Sequence, residues 1–323
     1  MILVCGEALV DLLVDPQGAD LAARPVPGGS AFNCAVGLAR LGAENGFEAG
    51  YLGGLSADVF GRWLRTRLHA EGVVPASATE SAHPTRIVAV SRDAAGEPAY
   101  GFYGEHVADL DLPADALMLR DDSPVRALVI GSFPIALEPS GDALRSLVAR
   151  EAGRRLISLD PNLRPALTPP DAAWRGAFEA CLAKADIVKA SAADLATGYD
   201  DPHGFAARAL AGHGGAGPAV VIVTDGGADA RLHHRDFMLT VRPPQVRVVD
   251  AVGAGDSFHA AFLAALARYG PFDRAGLGAC GADAMRFPLA YAASAAALTC
   301  TRAGADPPDH ASIMQRIGDA VVS

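Results

Sequence analysis

Lysine is nearly missing from this chain: its 323 residues hold only Lys184 and Lys189, and neither follows a glycine. A Walker A loop needs a lysine after its last glycine, so P-loop nucleotide chemistry is excluded. Basic residues are in deficit as a whole, with Lys+Arg 27 against Asp+Glu 37 and a formal charge of -10. That leaves no basic face for nucleic acid or an anionic membrane surface and favours a small-molecule partner. Cysteine is scarce as well. Cys5, Cys34, Cys181, Cys280 and Cys300 are odd in number and far apart, and none forms a C-x-x-C pair. This argues against a disulfide framework or a zinc site and for free thiols in a reducing cytoplasm. No run reaches the ~20 uninterrupted apolar residues of a membrane span. The N-terminus lacks a basic start, and Glu7 and Asp11 break its apolar run, so no secretory signal is expected. H-E-x-x-H and G-x-S-x-G are absent, as is the third small residue of a dinucleotide fingerprint. His233 and His234 are adjacent, would face opposite sides of a strand, and read as surface residues.

What is present gathers around residues 249–258. Gly253, Ala254, Gly255 and Asp256 stand where an apolar strand, residues 246–249, is expected to turn into an Ala-rich helix. Small residues let a phosphate approach the backbone, and the first-turn N–H groups of a helix face it. The helix dipole adds about half a positive charge there, so Asp256 is expected to be ionised beside any hydroxyl lying against the phosphate. A plain turn followed by a helix cap would use the same residues, and this stretch alone leaves both readings open.

Along the chain, short apolar runs alternate with helical spacing. Strands are expected at 2–5, 48–52, 127–131, 155–159, 187–190 and 219–224, with helices at 31–41, 139–151 and 172–184 between them. Ser56 is the expected cap of a helix carrying Phe60, Leu64 and Leu68, and Gly72 stops it. Two short strands follow at 230–233 and 237–241, and the tail reads as helices at 254–269, 289–299 and 311–322. Such alternation implies a mostly parallel sheet with helices on both faces. Residues 85–103 have instead a period of about two around a turn at Gly96, as in a hairpin. With the extended residues 9–26 they form a small sheet laid over the main one. The Gly-rich residues 212–217 read as a flexible loop within one domain. Asp160 to Arg164 falls at the carboxyl end of a strand, where open α/β sheets bind ligands.

These residues resemble the PfkB, or ribokinase-like, family of carbohydrate kinases. The carriers are Gly28-Gly29 with Asn33, Gly53-Gly54 with Asp58 and Phe60-Gly61, and Asp250 to Asp256, so the similarity runs along almost the whole chain. The resemblance implies a single domain over residues 1–323: a Rossmann-like three-layer α/β/α fold with a β-sheet lid from residues 8–27 and 84–108. It implies that Asp256 takes the proton from a sugar hydroxyl and that the backbone of Gly253, Ala254 and Gly255 forms the anion hole. Asp11, Gly28, Gly29, Asn33, Phe102 and Arg164 would hold the sugar. Lys189, Ser191, Thr224 and Gly226 would line ATP, together with Gly253 and Gly255. Asp194 would hold Mg²⁺ through water, and the backbone of Asp250 and Val252 a monovalent cation such as K⁺. Two departures stand out: Ala251 where the family usually has Thr, and Asp194 where a Glu is common. Pro84-Thr85, Phe102-Tyr103, Asp160 to Arg164 and Arg302 to Ala305 look most like bacterial fructokinases. Glu105 near Phe102-Tyr103 weighs against an acidic sugar and favours a neutral ketose, D-fructose, converted to fructose 6-phosphate. The alternatives are a kinase for 2-keto-3-deoxygluconate, ribose or a nucleoside, and a non-catalytic sugar-binding protein on the same fold. The exposed lid edge implies a homodimer formed through the lid.

Overall fold

The computed structural model of the chain describes all residues except 18–19, 77–79, 93–97, 113–118 and 213–216. The expected turn at Gly96 and most of the loop 212–217 lie outside the described residues. Ile2–Cys5 is short, apolar and buried along its length, the mark of a strand covered on both faces. It sits inside a ten-stranded sheet of order Val321–Val322, Met238–Arg242, Ala230–His234, Val220–Thr224, Ile187–Ser191, Leu156–Asp160, Ala127–Gly131, Ile2–Cys5, Ala49–Leu52, Val74–Pro75. The pairings from Val220–Thr224 through to Val74–Pro75 are parallel. The three strands at the other edge join antiparallel. The parallel register brings Thr224, Ser191, Asp160 and Gly131 to one edge, where the chain also leaves Cys5 and Leu52.

Alternation along each strand feeds two cores. Ile2 and Val4 pack with the helices Ser30–Asn45, Ala254–Tyr269 and Asp283–Thr299. Leu3 and Cys5 point the other way, onto Ser140–Glu151 and Ala172–Leu182. In the first core Ala260, Ala261, Ala264 and Ala265 are buried against Ala292, Ala293 and Ala295, so small side chains let the helices approach closely. A Cβ on Gly37 would lie 3.0 Å from that of Ala260. No described helix is long and apolar enough to cross a membrane.

A separate four-stranded sheet of order Asp20–Gly28, Leu9–Gln17, Ile87–Arg92, Pro98–Tyr103 covers the carboxyl edge. Its base is polar and buried. Arg86 Nε donates to Asp109 Oδ2 at 2.7 Å with both side chains out of solvent, and Thr85 donates to Asp58 through its amide and its hydroxyl, each at 2.8 Å. The Val10 amide reaches the Arg86 carbonyl, and the Ala108 amide that of Pro84.

Four local expectations are corrected. Asp58, not Ser56, caps the helix Val59–Ala70, accepting from Gly61 N at 2.7 Å, because Ser56 is drawn into a two-residue strand. Residues 246–249 form no strand: past the Pro243-Pro244 break the Val249 amide goes to the Cys300 carbonyl, and Val248 and Val249 are exposed. His234 is buried, its ring 4.5 Å from that of Phe237 and its Nε2 3.1 Å from the Leu277 carbonyl. The last expected helix stops at Arg316, and after Gly318 the β-branched pair Val321–Val322 joins the sheet.

Candidate active site

Gly253 caps the helix Ala254–Tyr269 at φ 75°, a conformation suited to glycine, and a Cβ there would sit 2.5 Å from that of Ala305. The first i→i−4 bond runs from Ser257 N–H to the Gly253 carbonyl at 2.9 Å, so the Gly255 and Asp256 amides lie at the open end. The Ala254 amide is turned to the Ala251 carbonyl at 3.3 Å. Ahead of the cap, the Asp250 carboxylate accepts from Val252 N at 3.1 Å and from Gly304 N at 2.9 Å, tying the loop to residues 300–306.

The second helix to reach this point is Ser30–Asn45. Gly29 precedes it at φ 100°, where a Cβ would lie 2.6 Å from the Glu7 carbonyl oxygen. Ser30 Oγ donates to Asp256 Oδ1 at 2.6 Å, and Asn33 Nδ2 donates to Asp256 Oδ2 at 2.9 Å. An Asn in the first turn of this helix is thus accounted for by a hydrogen bond. Below, Lys189 Nζ donates to Asp160 Oδ2 at 2.8 Å and stands 2.9 Å from where a Gly255 Cβ would be. Asp160 Oδ1 accepts from Asn162 N at 3.2 Å, shaping the turn into Arg164. His259, one turn along from Asp256, meets Ser158 Oγ at 2.6 Å.

Burial governs the charges. It raises the pKa of Asp256 above the usual carboxylate range, against the Ser30 and Asn33 hydrogen bonds and the Lys189 charge. The freely ionised acid expected from the helix dipole is therefore a more basic carboxylate. Burial alone would lower Lys189, but Asp160, Asp256 and Asp194 outweigh it, so the lysine is held charged. Burial pushes Asp11 up to about 6, with Arg164 opposing and Asp256 adding. It pushes Glu7 up to about 7 and His259 down to about 3, leaving that imidazole neutral.

One cavity of about 530 Å³ gathers most of the expected residues: Asp11, Gly29, Asn33, Phe102, Arg164, Asp250, Val252, Gly253, Gly255 and Asp256 all line it. Gly28 stands behind the wall, where a Cβ would lie 2.3 Å from Asp11 Oδ2, so its role is to leave room for that carboxylate. Lys189 lies midway along the strand Ile187–Ser191, Ser191 ends it, and Thr224 ends its neighbour, with Gly226 just beyond. Those four and Asp194 lie outside the cavity lining. Asp194 Oδ1 accepts from Leu163 N at 3.1 Å, and its own amide donates to Ser191 Oγ at 3.0 Å.

Glu7, Ser30, Tyr100 and Phe133 also line the cavity and escaped the sequence reading. Ser30 directly follows the glycine pair and Glu7 is an acid against Gly6, so both carried a readable signal.

The model of the pfkB family carbohydrate kinase matches residues 1–311. The chain belongs to this family. Over 313 residues this sugar kinase is 36% identical to the fructokinase of Klebsiella pneumoniae, covering 94% of each chain. Over 271 residues it is 36% identical to a fructokinase of Rhizobium leguminosarum bv. trifolii, covering 82% of this chain and 79% of the other. The structure of a fructokinase with bound ATP from Xylella fastidiosa matches with a TM-score of 0.83 at 26% identity, covering 98% of both chains. The pfkB kinase therefore carries its family's fold, main sheet and small sheet alike, over nearly its whole length. ATP is its phosphoryl donor and a sugar its acceptor.

Proposed function

We propose that this kinase converts D-fructose to fructose 6-phosphate, with Asp256 as the base. The observation that carries the reading is the Asp256 carboxylate, raised in pKa, which lies at the open end of a helix and lines the cavity. The 6-hydroxyl oxygen bonds to the γ-phosphorus as the bond to the β,γ-bridging oxygen breaks; the hydroxyl proton goes to Asp256 and ADP leaves. The Gly255 and Asp256 amides stabilise the phosphoryl oxygens, with the charge of the buried Lys189 behind them. Glu7, Asp11, Asp250 and Asp256 line the cavity with one arginine, Arg164, which disfavours an acidic sugar and suits a neutral one.

The residues fit the expected ions. Among the described residues no three ligating side chains cluster. That suits an Mg²⁺ carried on ATP and held through water by Asp194, which has one oxygen outside its bond to Leu163. Bound there, the ion would neutralise phosphate charge. The Asp250 and Val252 carbonyls accept no hydrogen bond among the described residues, which fits a monovalent cation. We assign the enzyme to the cytoplasm, where ATP is at hand and its free thiols stay reduced. We also assign it a dimer through the lid, whose outer strands Asp20–Gly28 and Pro98–Tyr103 are edges carrying exposed Leu21, Tyr100 and Tyr103.

Coupled ADP release over a sugar panel tests the substrate: turnover is expected with fructose. Preference for ribose, a nucleoside or 2-keto-3-deoxygluconate would overturn fructose and leave the kinase standing. A monomeric mass by light scattering would remove the dimer.

A further inference from the structure

The helix Ser30–Asn45 meets the catalytic helix with two donors on one face. Ser30 and Asn33 are three residues apart, hence neighbours along the helix surface. Each takes one oxygen of the Asp256 carboxylate, Ser30 Oγ at 2.6 Å and Asn33 Nδ2 at 2.9 Å. Two donors from one rigid element fix both the position of a carboxylate and the rotation of its plane. Ser30 is itself anchored: its amide donates to Glu7 Oε1 at 2.8 Å, and Glu7 is only 2% exposed. The preceding Gly29 admits no side chain, so the backbone that aims Ser30 has little freedom.

We propose that Ser30 is a positioning residue of the phosphoryl transfer: with Asn33 it clamps the Asp256 carboxylate at both oxygens, and its hydroxyl is the donor that keeps this buried group an anion ready for the sugar proton. The proposal rests on Asp256 being the base. It goes beyond that reading because the base needs a second residue to work near neutral pH. A serine hydroxyl can donate to a carboxylate, whereas the methyl of alanine cannot, and a hydrogen bond to the charged form favours that form. The charged and titratable groups around Asp256 and Ser30 are Lys189 and Asp160 from the sheet, Asp11 from the small sheet, Cys34 from the Ser30 helix and Glu7 on the Ser30 amide. None of them changes when Ser30 is replaced. Because Glu7 holds the backbone amide of residue 30, that anchor survives a side-chain substitution.

The experiment compares the full-length wild type with Ser30→Ala, Ser30→Thr and Asp256→Asn. It reads kcat against pH from 5 to 9, fructose affinity by calorimetry without ATP, and the melting temperature. Ser30→Ala is expected to lower kcat at pH 7 by about 10- to 100-fold. The acid limb of its profile should move to higher pH, so part of the loss is recovered at pH 9, with fructose Kd held within about twofold. Ser30→Thr, which keeps the hydroxyl, should restore most of the rate and the position of the limb. An acid limb left at the wild-type position in Ser30→Ala overturns the proposal, as does a parallel fall in kcat, affinity and melting temperature. A Ser30→Thr variant as impaired as Ser30→Ala also counts against it. Asp256→Asn separates the two readings: if it retains the rate, the base assignment falls and the Ser30 proposal with it. If it is inactive while Ser30→Ala is unshifted, only the Ser30 proposal falls.

Discussion

The two walls of the cavity are built on different terms. On the helix-end wall the polar groups have partners: Asp256 with Ser30 and Asn33, Lys189 with Asp160, Asp250 with Val252 and Gly304. Behind them lie alanines with no exposed surface, Ala260, Ala261, Ala264 and Ala265. The lid wall is a thin sheet whose outer residues face water, with Tyr100 51% and Tyr103 62% exposed, and only its base is buried. Charge is handled where neighbours cannot move, because a misplaced carboxylate or ammonium is costly in a low dielectric. The proposed sugar contacts fall on an element whose packing allows displacement.

That contrast predicts where substitutions hurt. The largest effect belongs to Asp256→Asn: kcat should fall by ~10²–10⁴ while fructose still binds by calorimetry. A nearly active variant would remove chemistry from the rigid wall. Next comes Lys189→Met, which leaves Asp160 buried without its partner. A loss of about 3–5 kcal/mol in urea unfolding is expected, together with a lower kcat. Lost stability with the rate per folded molecule intact would make the ion pair a structural pin only. On the lid, Phe102→Ala should raise the KM for fructose by ~5–20-fold and leave kcat within a factor of about three. Were kcat to collapse instead, the division of labour between the walls would be wrong.

The smallest effect tests the seam between the walls. Glu7 has its pKa pushed from 4.5 up to about 7 in the fold. Its contribution to stability is full below the unfolded value and is lost as pH rises through about 7, because the folded state holds a proton that the unfolded chain has released. Glu7→Gln removes that loss, so its melting temperature should overtake the wild type between pH 5 and 8, by about 2 °C at the top of the range. Parallel melting curves across that range would show that Glu7 does not titrate there.

Much of this was legible in the sequence because the signals were local. Apolar runs alternating with helical spacing gave the three layers, and the period of two in residues 85–103 separated the small sheet. The Gly-Ala-Gly-Asp run located the helix end. What escaped depends on distance along the chain. Ser30 and Asp256 are 226 residues apart, and no spacing rule links a serine after a glycine pair to a carboxylate so remote. Glu7 looked like an interruption of an apolar run, whereas in the fold it anchors the Ser30 amide. His234 looked like a surface residue because two adjacent histidines in a strand do not reveal which one faces the core.

Glu7, Arg86 and Asp109 stand where the chain passes into and out of the small sheet. Glu7 lies just before Leu9–Gln17, and its carbonyl packs against Gly29 where Asp20–Gly28 ends. Arg86 lies just before Ile87–Arg92, and Asp109 beyond Pro98–Tyr103. The small sheet is therefore held at its base by one buried ion pair, and any tilt about it would displace residues in proportion to their distance from Arg86. A small tilt would leave Asp11, close to the pivot, nearly still while carrying Tyr100 through a wider arc. With the proposed sugar site, grip at the inner end and shielding from water at the outer end would then be set separately, one by chemistry at the base and the other by the length of the arm.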